Sequence, residues 1–265
     1  MGKKSSGMSA IAKKVSAFFF SLRTAIWLFT ALLLLLLFGA ILMPLKEEYQ
    51  SMTMLPLFQW MAENPVRITW WLWAAVPVLT LLTANTLFCS IESVVKKRGT
   101  RKWLLVISPQ VIHIGFLFIL LAHLLSSYGS FRGMAYAREG TVIRLPNGLN
   151  VLFGEIKANV NPAGYIEDWS AKISFFKGNR QVASSVIRPN EPAFEEGLGI
   201  YLKTVRMEPF RAAVIEVSRE PGAPWALAGG MLFLAGMVTL LMLKIRMEGP
   251  GNDKDSGRYA DLRRP

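Results

Sequence analysis

Four stretches of this chain stay apolar for longer than any half-buried element of a water-soluble domain. They are residues 25–43 (AIWLFTALLLLLLFGAILM), 69–90 (TWWLWAAVPVLTLLTANTLFCS), 103–126 (WLLVISPQVIHIGFLFILLAHLLS) and 224–243 (PWALAGGMLFLAGMVTLLML). A hydrocarbon core of roughly 30 Å takes about 20 mostly apolar helical residues, so each stretch predicts a membrane-spanning helix. Between the third and fourth the pattern changes. VIRLPNGLNVLF sets Pro-Asn-Gly between two apolar runs, AKISFF and QVASSVI flank the polar KGNR, and GIYLKTV and AAVIEVS alternate at period two. Those are signals of hairpins and of strands with one buried face.

The predicted fold class is therefore membrane α-helical, with four transmembrane helices and an extracytoplasmic antiparallel β-domain between helices 3 and 4. Along the chain this gives a cytoplasmic N-terminal segment 1–24, transmembrane helix 1 at 25–44, an outer loop 45–68 and transmembrane helix 2 at 69–92. A cytoplasmic basic loop 93–103, transmembrane helix 3 at 104–128, the β-domain 129–222, transmembrane helix 4 at 223–244 and a cytoplasmic tail 245–265 follow. The tail, EGPGNDKDSGRYADLRRP, reads as disordered.

Composition agrees with a mixed chain. Hydrophobic residues make up 52% of the 265, and mean hydropathy is +0.34. That is too apolar for an ordinary soluble domain and too polar for a chain lying wholly in lipid. Charge then gives orientation. The segment before the first span, the loop after the second and the tail hold 16 basic against five acidic residues, or +11 of the total +12. By the positive-inside rule both ends are cytoplasmic. The same bookkeeping disposes of a nucleic-acid partner, since the basic residues sit where topology places them and form no basic face on a folded domain. The first span follows a basic segment, yet its apolar run is longer than that of a secretory signal and no small-x-small cleavage site precedes Pro44, so it is read as a retained anchor. The Met-Gly start with Ser6 fits a myristoylation pattern weakly, and four spans would make such a lipid redundant. The single cysteine, Cys89, excludes a disulfide framework and any multi-thiolate metal site made by this chain alone.

Both histidines of the chain, His113 and His123, fall in the third span. Ionisable residues inside a membrane are costly and mark functional sites by default, and imidazole is suited to ligating haem iron or relaying a proton. Ten residues on one helix put the two rings about 15 Å apart along the axis and roughly 80° apart around it, too far to share one small metal. The competing role for either is an interhelical hydrogen bond, a reading that weighs more for His123. No other span offers a histidine. Met43, Met231, Met237 and Met242 carry thioether sulfurs, although methionines in apolar spans usually pack. An iron held here would have one protein ligand from this chain, or a second from another chain.

Several runs, in order, resemble the ResB (CcsB) family of System II cytochrome c biogenesis proteins. FFFSLRTAIWLF resembles the family's opening span, ANTLFCSIESVVKK the end of its second, and HIGFLFILLAHLLSSYGSFRG its third span and exit. GYIEDWSAKISFF followed by VIRPNEPAFEEGLGIYL is similar to the outer-domain signature, where Asn190, Pro192, Gly197 and Tyr201 match. EPGAPWALAGGMLFLAGM resembles the approach to the last span. The resemblance runs from about Phe18 to Leu243 and implies a multi-pass subunit of the bacterial cytoplasmic (inner) membrane. It implies a role in a haem export and cytochrome c synthetase complex. Haem b would be the transported substrate, passing to a CcsA/ResC-type WWD-motif membrane protein and then to apocytochrome c, with a thioredoxin-like thiol reductant as a further partner. The histidine of the His-apolar-Gly run, here His113, would be the haem axial ligand and so the iron ligand. His123 has no equally clear counterpart and is a secondary candidate.

The haem-handling WWD motif of the partner is absent: Trp70, Trp71 and Trp73 have no neighbouring Asp and read as an interfacial aromatic belt. Asp168-Trp169 reads as a strand edge within the β-domain. Cys89 reads as a small buried hydrophobe, with a redox role as the alternative. No catalytic residue is expected, and the chain is an accessory subunit of a cytochrome c-type haem lyase complex on this reading. The alternatives are a b-type haem-binding electron-transfer membrane subunit and a non-haem membrane scaffold.

Overall fold

The computed structural model of the chain describes residues 17–96, 103–207 and 210–248. The basic segment 1–16, most of the basic loop (97–102) and the tail from 249 onward, expected to be disordered, lie outside the described residues. Five α-helices are described: α1 (Leu22–Leu42), α2 (Leu57–Glu63), α3 (Val66–Lys96), α4 (Trp103–Gly129) and α5 (Ala223–Glu248). Among the described residues, four helical stretches are long and apolar enough to cross a membrane: Leu22–Leu45, Val66–Lys96, Trp103–Gly129 and Ala223–Arg246. Eight strands lie between α4 and α5, and the chain divides into two compact units.

The first unit comprises residues 1–46, 64–123 and 223–265 and is helical among its described residues. Helix α1 starts at Ser21, whose extended backbone and Oγ cap the Thr24 N–H at 3.4 Å. Against it packs α3 through Leu32, Ala75 and Leu82. Asn85 on α3 is 1% exposed, and its amide donates to the Phe19 carbonyl at 2.9 Å, meeting a backbone acceptor just ahead of α1. Trp71 departs from the sequence reading. Trp70 and Trp73 are 42% and 43% exposed, as a belt requires, but Trp71 is 1% exposed. Its ring covers Gly39, where a Cβ would fall 2.4 Å from Trp71 Cζ3. The missing side chain on α1 makes the room for the indole.

Helices α4 and α5 meet through glycine. A Cβ on Gly115 would lie 2.5 Å from the Phe233 nitrogen, and one on Gly229 would lie 2.6 Å from the Gly115 carbonyl oxygen. One turn and more along, a Cβ on Gly236 would lie 3.1 Å from the Ser108 carbonyl oxygen. Backbone therefore touches backbone, the arrangement small residues permit between membrane helices, where packing rather than the hydrophobic effect drives association.

The second unit comprises residues 47–63 and 124–222. Its eight strands are β1 (Phe131–Arg138), β2 (Val142–Arg144), β3 (Asn150–Val160), β4 (Ile166–Lys177), β5 (Arg180–Ile187), β6 (Ala193–Glu195), β7 (Leu198–Arg206) and β8 (Ala212–Arg219). They form two four-stranded antiparallel sheets, ordered β1-β8-β7-β6 and β2-β3-β4-β5. Val151, Phe153, Ile173 and Phe175 from one sheet and Ile200, Ala213 and Ile215 from the other share one apolar core. The ladders shift register at four places, and two of these shifts re-phase the buried faces of β3 and β7. Between Phe153 and Ile156 the β3 chain gains a residue over β4, so the inward parity switches from odd to even numbers. The Ile156 N–H is met by Glu139 Oε1 at 2.8 Å. On β7 the extra residue is Lys203, which lets both Leu202 and Val205 face the core.

That second bulge also builds the charge centre of the other face. Glu216 on β8 is 8% exposed and accepts from Arg132 Nε at 3.3 Å and from Lys203 Nζ at 3.1 Å. Arg132 and Lys203 are about half-exposed and can turn to water, so the loss of Glu216 removes two charge-assisted bonds at a cost of about 1 kcal/mol. Glu216→Ala is expected to lower the melting temperature of the β-unit by several degrees, read by near-ultraviolet circular dichroism. Glu155→Ala, which breaks only the exposed pair with Lys157, should be within about 0.5 kcal/mol of neutral. Equal effects of the two would overturn a structural role for Glu216.

The segment expected as an outer loop is not without structure. It holds a 3₁₀ turn at Glu47–Thr53, the helix α2 and the first residues of α3. Trp60 and Met61 of α2 are 0% and 2% exposed. Trp60 Nε1 donates to Ser51 Oγ at 3.0 Å, and Phe58 lies against Tyr128, the ring centres 4.5 Å apart. Two turns of helix are too short to show a period in sequence, and their amphipathic face appears only against the rest of the unit.

Candidate functional site

Among the described residues, a side-chain hydrogen bond links α3 and α4. Hydroxyls on these helices mostly turn back on their own backbone. Thr80, Thr83 and Thr86 donate to the carbonyls four residues earlier at 2.9, 2.8 and 2.8 Å, and Ser108 does the same to Leu104 at 2.7 Å. This is the ordinary way to satisfy a hydroxyl inside an apolar helix. Ser90 is different: its Oγ lies 2.8 Å from Nδ1 of His113 on the neighbouring helix. His113 is half-buried and has no other hydrogen-bond partner among the described residues. Its Nδ1 is engaged and its Nε2 is not.

One turn before His113 on α4, Gln110 is 7% exposed, and its Oε1 is buried without a partner among the described residues. Ser90 and His113 thus form a polar contact between two mostly apolar spans, with Gln110 one turn away on α4. The sequence reading found His113 and passed over the other two, although an uncharged polar residue deep in an apolar run is itself a signal. Two residues beyond His113, Gly115 faces the other way. At 100° per residue the pair is separated by about 200° around the helix, which puts the imidazole toward α3 and the closest backbone approach toward α5.

His123 lies on the exposed surface of α4 and is not brought together with His113. Among the thioether candidates, Met231, Met237 and Met242 are exposed and Met43 is half-buried. Cys89 is partly buried, its Sγ 3.5 Å from the Phe19 carbonyl oxygen and 3.9 Å from Asn85 Oδ1, which places it at the α1–α3 junction and away from His113. Among the described residues no three His, Cys, Asp or Glu side chains gather as a metal-binding group. Chemically the contact offers one imidazole, with Nδ1 held by a hydroxyl and Nε2 unengaged among the described residues, enough for a single axial ligand to an iron whose other ligands come from elsewhere.

In the β-unit, Asp168 and Trp169 are on β4, an inner strand rather than the edge expected. They border a cavity of about 430 Å³ whose lining also includes Arg188, Met207 and Arg211. Trp169 Nε1 is buried there without a hydrogen-bond partner among the described residues.

No family model matches the chain, and no curated protein matches it. Among solved structures it is similar to a protein described as Cytochrome c Heme Lyase CcmF, at 15% identity and a TM-score of 0.43. The match covers 83% of this chain and 35% of that one. The chain thus spans about a third of the length of that structure, and a likeness of this degree carries no activity across.

Proposed function

We propose that this chain is a ResB-type subunit of a membrane haem export and cytochrome c synthetase complex, and that His113 supplies an axial ligand to haem b in transit. The observation that carries the reading is the imidazole of His113, half-buried in an apolar helix and held by a side chain of the adjacent helix. A ligating histidine needs its second nitrogen oriented in this way. Haem is flat and apolar at its edges and anionic at its propionates, so helices with one imidazole between them suit it as cargo.

On this reading a CcsA/ResC-type partner brings the second axial ligand and the WWD motif that this chain lacks. Haem then passes to apocytochrome c, with a thioredoxin-like reductant keeping the acceptor thiols reduced. The charge distribution supports cytoplasmic termini and an outward-facing β-domain. His123, exposed on the same helix, is the secondary candidate.

The test is the visible absorption spectrum, oxidised and reduced, of the chain purified with its partner. His113→Ala is expected to lose the haem bands and to regain them with added imidazole, while His123→Ala keeps them. An unchanged spectrum in His113→Ala would sink the assignment. A wild-type complex without haem would favour the scaffold reading, in which Ser90 and His113 only tie two helices together.

A further inference from the structure

We infer that Ser90 is the positioning residue of His113 and that Nε2 is the nitrogen His113 offers to iron; this rests on the reading of His113 as a haem ligand. A neutral imidazole has one nitrogen that donates and one that accepts. Nδ1 lies 2.8 Å from Ser90 Oγ, an ordinary hydrogen-bond length, so iron could reach Nδ1 only by displacing the serine. Nε2 has no such occupant among the described residues.

The choice of a hydroxyl has a chemical consequence. When Nε2 gives its lone pair to iron, the single ring proton must sit on Nδ1, and Ser90 Oγ accepts from it. When the ring is free, the same hydroxyl can donate into Nδ1 while the proton sits on Nε2. The imidazole carries one proton in both states, so ligation through Nε2 neither consumes nor releases one. A carboxylate partner could serve only the first state. It would also raise the basicity of the ring and tighten its hold on iron, whereas a neutral hydroxyl orients the ring with little added donation. That suits a ligand that must let its cargo go. The departure of Ser90 from the back-bonding of its neighbours Thr80, Thr83 and Thr86 is the structural sign of this task.

With two histidines in the chain, labelling histidine with ¹⁵N gives two sets of ring signals, and His123→Gln assigns them. In the haem-free full-length protein in detergent, Ser90→Ala is expected to shift the His113 Nδ1 signal and leave His123 in place. Haemin titration should then show binding weakened about tenfold in Ser90→Ala, as for other partners of metal-ligating histidines, and restored in Ser90→Thr. Unchanged His113 signals in Ser90→Ala, or equal haemin affinity in wild type and variant, would overturn the role of Ser90 while leaving His113 as ligand. If the His113 signals respond to Ser90→Ala but haemin binds His113→Ala as well as wild type, the haem reading itself fails, and the role of Ser90 falls with it.

Discussion

Gly229→Leu is expected to abolish the α4–α5 contact and with it the accumulation of the protein in membranes. The first added carbon alone would sit 2.6 Å from the Gly115 carbonyl oxygen and 2.9 Å from the Ile119 nitrogen. Both are backbone atoms and cannot rotate aside, so the helices must separate. Overpacking a core costs about 1–3 kcal/mol where side chains can adjust, and here they cannot, so the cost lies at or above the top of that range. Separation also forfeits the close packing that substitutes for the hydrophobic effect between helices in lipid. Gly115→Leu should act the same way, since its Cβ would meet Phe233 backbone at 2.5 Å. Gly230 is the control. Nothing lies within 4 Å of a Cβ built there, so Gly230→Leu should leave membrane levels and detergent melting temperature near wild type. Equal tolerance at residues 229 and 230 would show that the helices do not meet as described.

The second large effect is a rescue. Gly39→Leu drives a side chain into the Trp71 ring, and Trp71→Ala empties a site that is 1% exposed. Each alone is expected to destabilise the α1–α3 pair, the first by about 1–3 kcal/mol from overpacking and the second by about 3–5 kcal/mol from the void. Together they should cost less than the sum, because leucine on α1 fills part of the space the indole leaves. A coupling of about 0.5–3 kcal/mol is the range for residues in contact. Thermal unfolding of the four proteins in one detergent measures it. Strict additivity would mean that Gly39 and Trp71 do not share the site.

These two contacts also mark how the residues behind the family resemblance work physically. In His113-Ile114-Gly115 the histidine and glycine serve opposite helix faces, one toward Ser90 and one toward α5. In the β-unit, Asn190 and Gly197 have φ of 62° and 79°, left-handed values that glycine and asparagine tolerate best. Glu196 at φ 46° and Gly197 make the two-residue turn between β6 and β7. Tyr201 and Phe194 cross over Gly199, where a Cβ would meet Tyr201 Cε2 at 2.7 Å. Of the matching positions in the outer-domain signature, Asn190 and Gly197 are thus turn residues and Tyr201 covers a glycine, which report fold.

What the sequence determined by itself was everything that depends on the average surroundings of a window. Length and apolarity set four membrane-long helices, and period two with Pro-Asn-Gly set the hairpin between β2 and β3, where Gly148 has φ of 85°. The location of the ionisable groups in the third span was legible for the same reason, since a histidine in an apolar run stands out in any window. Tertiary structure alone decided which faces meet. Helix rotation turned Trp71 inward onto Gly39, sent Ser90 to Nδ1 of His113 and left His123 at the surface. Two bulges re-phased β3 and β7, bringing Lys203 to Glu216, and a segment read as loop folded α2 with Trp60 buried. A window of sequence reports how apolar a face is; which partner covers it depends on rotations and registers set by residues tens of positions away, and only the folded chain holds those in one place.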